Sequence, residues 1–594
     1  MYKSEKLFSM KKFKLFTAIV TSLLFFSCNK QLDLQSDGRI TMDQVFSDYN
    51  RTRGYLNSCY GFCPAPYMDR ASFTDEAQDA DDITPGSTYN NWYGGNITSI
   101  TYAANSSDGS PWGNLYTGIR KCNVFLQSIQ TATVYATDAE KGTWIAQART
   151  LRALYYLQLI KRYGGVPIFD KPLEINHDFA TDKRATFSDV VTFILADCDE
   201  ALAISDGLSW NVSDNQFGIM TRGVAYAIKS QAVTYAASPL WSDGTYTWAM
   251  ATDINKEALS QCLTNGGYKL FDVAPSATFA QNSYALYCLT SSNDQRAVDK
   301  ETIFQGGAQM AVWQWAGMPT NPGMNRTGPC PSQELVDSYE MANGEAPITG
   351  YNADRTVATV NPLSGYDPAN PYVGRDPRFY ASIYYNDAVR YLDQPTGKKV
   401  ETFVGGTEEI SALDRKHTRT GYYMRKFNNF ASTLSNSADG AIRLFRLAEL
   451  YLNFAESAYQ SAGPDVAVTA TGFSMSARDA VDVVRARAGM PAFPAGMDPT
   501  AFGAKYRNER RVELAYEEHR FFDVRRWKIL DQTDKFVTGM QITKTGSTFT
   551  YTRFKFPDRN CSSTKWLMYP IDQSEVDKVI GFSGVNWQNP GWLD

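Results

Sequence analysis

The feature that most constrains this chain is a helical spacing of apolar side chains that returns along its length. In EKGTWIAQARTLRALYYLQLIKRYGG, residues 140–165, they recur at Trp144, Ala148, Leu151, Leu154, Tyr155 and Leu159. Steps of three and four line one face of an α-helix. Gly164-Gly165 stop that helix and Pro167 follows. Thr186 and Asp189 read as a capping pair ahead of the stripe Phe187, Val190, Val191, Ile194, Leu195 and Cys198. The alanine-rich TRGVAYAIKSQAVTYAASPLW carries Ala225, Ala232 and Ala236, small enough to let neighbouring helices approach closely. Residues 443–463 repeat Leu444, Leu447, Tyr451, Leu452, Ala455 and Tyr459, and SARDAVDVVRARAG ends at Gly489 with Pro491 beyond.

Helical pairs packed through small and aromatic residues resemble tetratricopeptide-type stacking. No regular period is visible, so the expected fold class is mostly α, with degenerate helical repeats. Two Gly/Asn/Ser/Pro-rich stretches, 83–114 and 305–376, are expected to be long irregular loops, and such loops in a folded body tend to carry function.

At 594 residues the chain exceeds one ordinary core, so a bilobed body or several packed units is expected. A net charge of −5 argues against broad nucleic-acid binding. The three histidines, His177, His417 and His519, lie far apart, which argues against a His-built metal site or triad. No GxxxxGK[ST], GxGxxG, HExxH or GxSxG is present. No catalytic residue and no cofactor is therefore assigned. Asp75, Glu76, Asp79, Asp81 and Asp82 do not match a calcium loop and are expected to be solvated acidic surface, with no metal.

Near the N-terminus, Lys11, Lys12 and Lys14 precede LFTAIVTSLLFF, residues 15–26. This apolar run is too short to span a bilayer and has the proportions of a secretory signal, with Met10 the natural start. Ser27-Cys28 closes it like a bacterial lipobox, so residues 1–27 read as a lipoprotein signal peptide and Cys28 as the lipidated first residue. The alternative is an ordinary signal peptide with an incidental cysteine. Eight cysteines remain after Cys28; only Cys59 and Cys63 are close in sequence, and most are expected to be buried free thiols.

ERRVELAYEEHRFFDVRRW, residues 509–527, holds five acids (Glu509, Glu513, Glu517, Glu518, Asp523) and five arginines (Arg510, Arg511, Arg520, Arg525, Arg526). Residues 500–519 read as helical, with Glu509, Glu513 and Glu517 on one face. Every acid has arginines nearby, which leaves no obvious proton donor, so structural ion pairing is the expected role.

The same stretch resembles the C-terminal signature of the SusD/RagB family, the glycan-binding outer-membrane lipoproteins of Bacteroidetes. WGNLYTGIRKCNVFLQSI (112–129), AQARTLRALYYLQLIKRYGGVPIF (146–169), RATFSDVVTFILADCDEAL (184–202), PSQELVDSYEMANGEAP (331–347), RDPRFYASIYY (375–385), RLAELYLNFAESAY (446–459), ARDAVDVVRARAGMP (477–491) and YPIDQSEVDKVIGFSGVNWQNPGW (569–592) agree in chain order. The resemblance implies four degenerate tetratricopeptide-like units and a less regular C-terminal portion. It further implies an N-terminal helical domain over 28–245 and a C-terminal RagB/SusD domain over 246–594. The implied protein is a cell-surface lipoprotein of the outer membrane, a lid on a SusC-like TonB-dependent transporter that captures oligo- or polysaccharide. A peptide-binding member of the family and a glycoside hydrolase with two carboxylates remain alternatives.

Sugars need exposed rings for their C–H faces and polar groups at the rim. The family builds its glycan site from loops in two regions that match 87–96 and 309–319 here. The expected glycan-binding residues are Trp92, Tyr93, Asn90, Asn91 and Asp82 from the first, and Trp313 and Trp315 from the second. Trp112, Trp144, Trp241 and Trp527 are expected to pack in the core. The lipobox reading has a direct check. Cys28→Ala should release the protein from the membrane fraction, and retention of the variant after a carbonate wash would contradict it.

Overall fold

In the computed structural model, the apolar stripes fold as helices whose ends sit where local chemistry puts them. It describes residues 40–593 apart from 66, 211–216, 275–281, 292–294, 307–311, 313–315, 322, 391–397 and 433–437. We label α1 Trp112–Ser128, α2 Asp138–Tyr163, α3 Phe187–Ala203, α4 Arg222–Ala236, α5 Trp248–Thr264, α6 Leu447–Ala462, α7 Ala477–Arg487, α8 Pro499–Glu513, α9 His519–Arg526 and α10 Gln573–Ser583. Reciprocal capping boxes open α2 (Thr137, Glu140), α3 (Thr186, Asp189) and α7 (Ser476, Asp479). Each satisfies N–H groups that the first helical turn leaves without partners.

The helices stack in series: α1 on α2, α2 on α3, α3 on α4, α4 on α5. α5 then packs on α6, which arrives from far later in the chain, and α6 packs on α7. The alanine-rich α4 is buried on every side, as its small side chains require. Two compact units divide the chain. One holds the described residues up to Thr52 with Ala132–Tyr135, and the other holds Arg53–Thr131 and everything from Ala136 onward. In the small unit the Val134 N–H donates to the Phe46 carbonyl at 3.0 Å.

Strands among the described residues are short and paired in twos. The stretches expected as irregular loops hold some of them. Residues 83–114 contain a helix, Thr88–Gly94, and 305–376 contains β2 (Pro329–Pro331), which pairs antiparallel with β1 (Ala77–Asp79). A long hairpin, β3 (Thr538–Thr545) and β4 (Thr548–Lys555), turns at Gly546 with φ +62°. It buries Met540 and Ile542 against Tyr372, Phe379 and Tyr422.

The charged stretch 509–527 is structural, but the helix expected over 500–519 ends early. α8 stops at Glu513, Tyr516 and Glu518 take positive φ of 62° and 66°, and α9 begins at His519. Its partners are non-local and buried. Arg446, just before α6, meets Glu301 at 2.8 Å, Glu513 at 2.7 Å and Glu517 at 2.7 Å. Glu513 also meets Arg378 at 3.1 Å and pairs with Arg487, while Glu509 meets Arg485 at 2.7 Å. Asp523 bridges Arg510 and Arg526, and Arg526 reaches Glu456 at 2.6 Å. Arg525 uses carbonyls instead, donating to Trp566 at 2.9 Å and Phe521 at 2.7 Å.

Burial alone would raise these carboxyl pKa values, but the cations overcome it. Arg446 and Lys426 hold Glu517 at about 2, against an ordinary 4.5. Arg487, Arg446 and Arg378 hold Glu513 lower still. Such depressed groups stabilise the fold fully above their unfolded pKa, and that contribution is lost as pH falls toward the folded pKa. Thermal stability should therefore fall between pH 4.5 and 2. A melting temperature flat through that window would contradict the assignment. Arg446→Met should cost ~3–5 kcal/mol in denaturant unfolding, since it strips three buried carboxylates of one shared cation.

Candidate functional site

The β1–β2 ladder decides which loops meet. Its register sets Ala77 opposite Pro331 and Asp79 opposite Pro329, and the Ala80 N–H donates to the Gly328 carbonyl at 2.9 Å. Antiparallel pairing puts the chain leaving Asp79 and the chain arriving at Pro329 at the same end. The segment 409–419 joins them there. The Thr327 N–H donates to the Arg415 carbonyl at 2.9 Å. The Arg415 guanidinium reaches Asn325 Oδ1 at 3.0 Å and Asp81 Oδ1 at 3.4 Å, and Arg419 Nε reaches Asp82 Oδ1 at 2.7 Å. Asn90, Asn325, Leu413, Arg415 and Lys416 are exposed on the resulting rim.

Beneath the rim, Arg326 lies 3.7 Å from both Asp69 and Asp79 and donates to the Tyr89 hydroxyl at 3.1 Å. Asp79 is fully buried, accepting from Ser72 Oγ at 2.8 Å and the Asp81 N–H at 3.0 Å. Burial pushes its carboxyl up to about 6, against the opposing pull of Arg326. Asp69 is raised as well, again by burial.

The expected aromatic platform is corrected at Trp92 and Tyr93, which are 2% and 9% exposed. Ser87 caps the helix Thr88–Gly94, and Gly95 ends it at φ +70° with its Cα against Asn560, where a Cβ would lie 2.6 Å from a carbonyl oxygen. On that helix Tyr89, Trp92 and Tyr93 share a face turned inward. Trp92 packs edge-on to Phe73 and tilted against Trp566, each at 4.6 Å. Tyr93 donates to the Ser72 carbonyl at 2.8 Å and lies under Arg559.

Asn91 is half-buried, donating to Gly86 and Asn105. Asp82 is held by Arg419 and Gln78. Asn90 donates to the Asp82 carbonyl at 3.2 Å and stays exposed. Trp313 and Trp315, like Cys28, lie outside the described residues. The acidic run is not solvated surface throughout, because Asp75, Glu76 and Asp79 are buried and Asp75 is paired to Arg520 at 2.8 Å. Trp112, Trp144 and Trp527 are core residues, and the half-buried Trp241 stacks on Phe187 at 4.5 Å.

A second concavity, of about 540 Å³, opens between α1, residues 167–182 and α10. Trp112, Tyr116, Phe169, Phe179, Phe582 and Trp587 line it, with Phe179 and Phe582 stacked at 5.6 Å. Its inner polar groups are already used. Tyr116 donates to the Pro167 carbonyl at 2.8 Å, and Asn123 donates to Phe169 at 2.9 Å. The i, i+4 pair Trp112 and Tyr116 was the sequence signal for it.

Residues 288–592 match the model of the SusD family, and residues 32–231 match a second model described as "Starch-binding associating with outer membrane". The chain belongs to the SusD family. A SusD-like protein of Bacteroides fragilis shares the fold with a TM-score of 0.74 and 24% identity, over 92% of this chain and 98% of that one. A protein named as a laminarin-binding SusD-like protein superposes with a TM-score of 0.55 at 22% identity, over 92% and 100% of the two chains. Surface glycan-binding protein A of Bacteroides fluxus does so at 0.57 and 18%, with the same coverage. SusD-like protein P38 of Formosa agariphila is 24% identical over 200 residues, 32% of this chain. The SusD-family chain thus spans 38% of the length of that curated relative. No described helix is long and apolar enough to cross a membrane.

The inward placement of Trp92 has a measurable consequence. Trp92→Ala should destabilise this SusD-family protein by ~3–5 kcal/mol in denaturant unfolding, the cost of emptying a packed aromatic site. Unchanged stability would contradict that placement.

Proposed function

We propose that this SusD-family protein captures an oligo- or polysaccharide at the cell surface without cleaving it. We assign it a lipid anchor at Cys28 and the role of lid on a SusC-like TonB-dependent outer-membrane transporter, to which it hands the glycan. The observation that carries the reading is the register of Asp79 opposite Pro329, which gathers the 80–96, 323–328 and 409–419 segments into one polar rim. A sugar's hydroxyls need donors and acceptors that face water, and Asn90, Asn325 and Arg415 offer them there. Trp313 and Trp315, on the chain leading to that rim, are proposed to supply the ring faces. The description of starch binding in the matched family model supports this reading, as do the names of the laminarin-binding and surface glycan-binding relatives.

Two observations favour the rim over the aromatic concavity and binding over hydrolysis. Tyr116 and Asn123 inside the concavity are tied to backbone carbonyls, so its rings have few inner polar partners, although the exposed Thr117, Arg120, Lys171 and Lys578 also line it. The carboxyls that burial raises toward neutrality, Glu76 to about 7 and Asp79 and Asp534 to about 6, are all buried, out of reach of a substrate bond. Arg415→Ala and Trp313→Ala should each weaken binding about tenfold, ~1–2 kcal/mol, with melting temperature preserved. Titration calorimetry against starch and laminarin reads this. Full affinity in both variants would move the site elsewhere. Reducing ends released from either polysaccharide would restore the hydrolase alternative, and affinity for peptides alone would favour the peptide-binding one.

A further inference from the structure

Within the larger unit, residues 53–62, which include the last turns of the helix Tyr49–Tyr60, run antiparallel to α1, and three pairs of contacts fix the register. The Tyr55 ring stacks on Phe125 at 6.4 Å. Lys121 Nζ donates to Ser58 Oγ at 3.1 Å and sits 5.5 Å over the Tyr55 ring. A Cβ on Gly118 would lie 3.0 Å from the Phe62 Cβ, so a glycine lets the two backbones come close one turn from Cys122. Tyr55 with Phe125, Ser58 with Lys121 and Phe62 with Gly118 leave Cys59 facing Cys122. Both cysteines are at 0% exposure, and Cys59 lies close enough to Cys122 to add to burial in pushing its thiol up. The close sequence pair, Cys59 and Cys63, is arranged differently. The helix ends at Tyr60, and Cys63 turns its sulfur to the Tyr155 hydroxyl at 3.8 Å.

We propose that Cys59 and Cys122 form a disulfide in the exported protein, joining the first long helix of the described chain to the base of the helical stack. The pairing rests on the geometry above, and its formation in the cell rests on the outer-membrane reading, because exported proteins fold where disulfides persist. The oxidant is the disulfide of an extracytoplasmic thiol–disulfide oxidoreductase. One thiolate attacks it to give a mixed disulfide, and the second thiolate displaces the enzyme. Two thiols lose two protons and two electrons, one S–S bond forms, and the enzyme's disulfide is reduced to its dithiol. Burial pushes the Cys122 thiol well up, so the closed fold supplies no thiolate there and the exchange belongs to folding, before the helices close.

The test is peptide mapping without reductant, after unfolding in excess alkylating agent, on two samples. One is full-length protein from the membrane fraction. The other is reduced protein, unfolded and refolded with oxidised glutathione. Both should yield a Cys59–Cys122 cross-linked peptide with Cys63 alkylated. Cys122→Ser should abolish the cross-link, and dithiothreitol should lower the wild-type melting temperature by a few degrees. Alkylation of all eight thiols in the refolded sample, or a bond through Cys63, would overturn the pairing. A bond in the refolded sample that is missing from the membrane fraction would overturn its formation in the cell, and would count against the compartment rather than the geometry.

Discussion

One arginine, Arg446, sits at the join of three segments distant in sequence. Its guanidinium faces Glu301, Glu513 and Glu517, and its own backbone starts α6. Taking so many charges out of water is costly, and the attraction between them offsets that cost only when each partner is in place. The lattice therefore acts as a condition on assembly. α7 and α8 bring Arg485, Arg487, Glu509 and Glu513 to one buried centre, and a helix docked in another register would leave a charge unpaired. Apolar stripes alone leave such slippage open, because leucine and alanine faces tolerate many neighbours.

The same constraint reaches the functional rim. Arg511, between two lattice carboxylates, and Arg520, just beyond Glu517, both pair with Asp75, two residues before β1. Arg559 donates to the carbonyls of Thr74 and Ala77, and the Ser332 N–H donates to the Glu76 carbonyl. The β1–β2 ladder is thus fastened at its root to the structural core, while its far end carries the polar loops. A rigid base with polar groups at its edge suits recognition of a hydrated polymer, in which ordering loops would otherwise consume binding free energy.

Much of this was legible in the chain, for reasons that differ by element. The capping pair Thr186–Asp189 and the stripes of α2 and α3 are local, so their geometry follows from neighbours a turn away. The neutrality of 509–527 marked it as paired, but its partners Arg378, Arg446 and Asp75 lie from 67 to 445 residues away along the chain, and spacing cannot reveal them. Trp92 was misjudged for a different reason. Ser87 as a cap, Tyr89, Trp92 and Tyr93 at helical steps, and Gly95 as a terminator all spelled a short inward-facing helix. The surrounding Asn and Gly residues suggested an open loop instead. The hairpin over 538–555 was missed because threonine-rich alternation looks polar on both faces, although Met540 and Ile542 point to the core.

The central claim is that the core-anchored ladder presents one glycan-contacting rim. Hydrogen–deuterium exchange with and without saturating starch or laminarin tests it without any substitution. The account predicts slowed exchange at 80–91, 323–328 and 411–419 together, with α1 and α10 unchanged. Protection confined to α1, 167–182 and α10 would contradict it and place the ligand in the aromatic concavity instead.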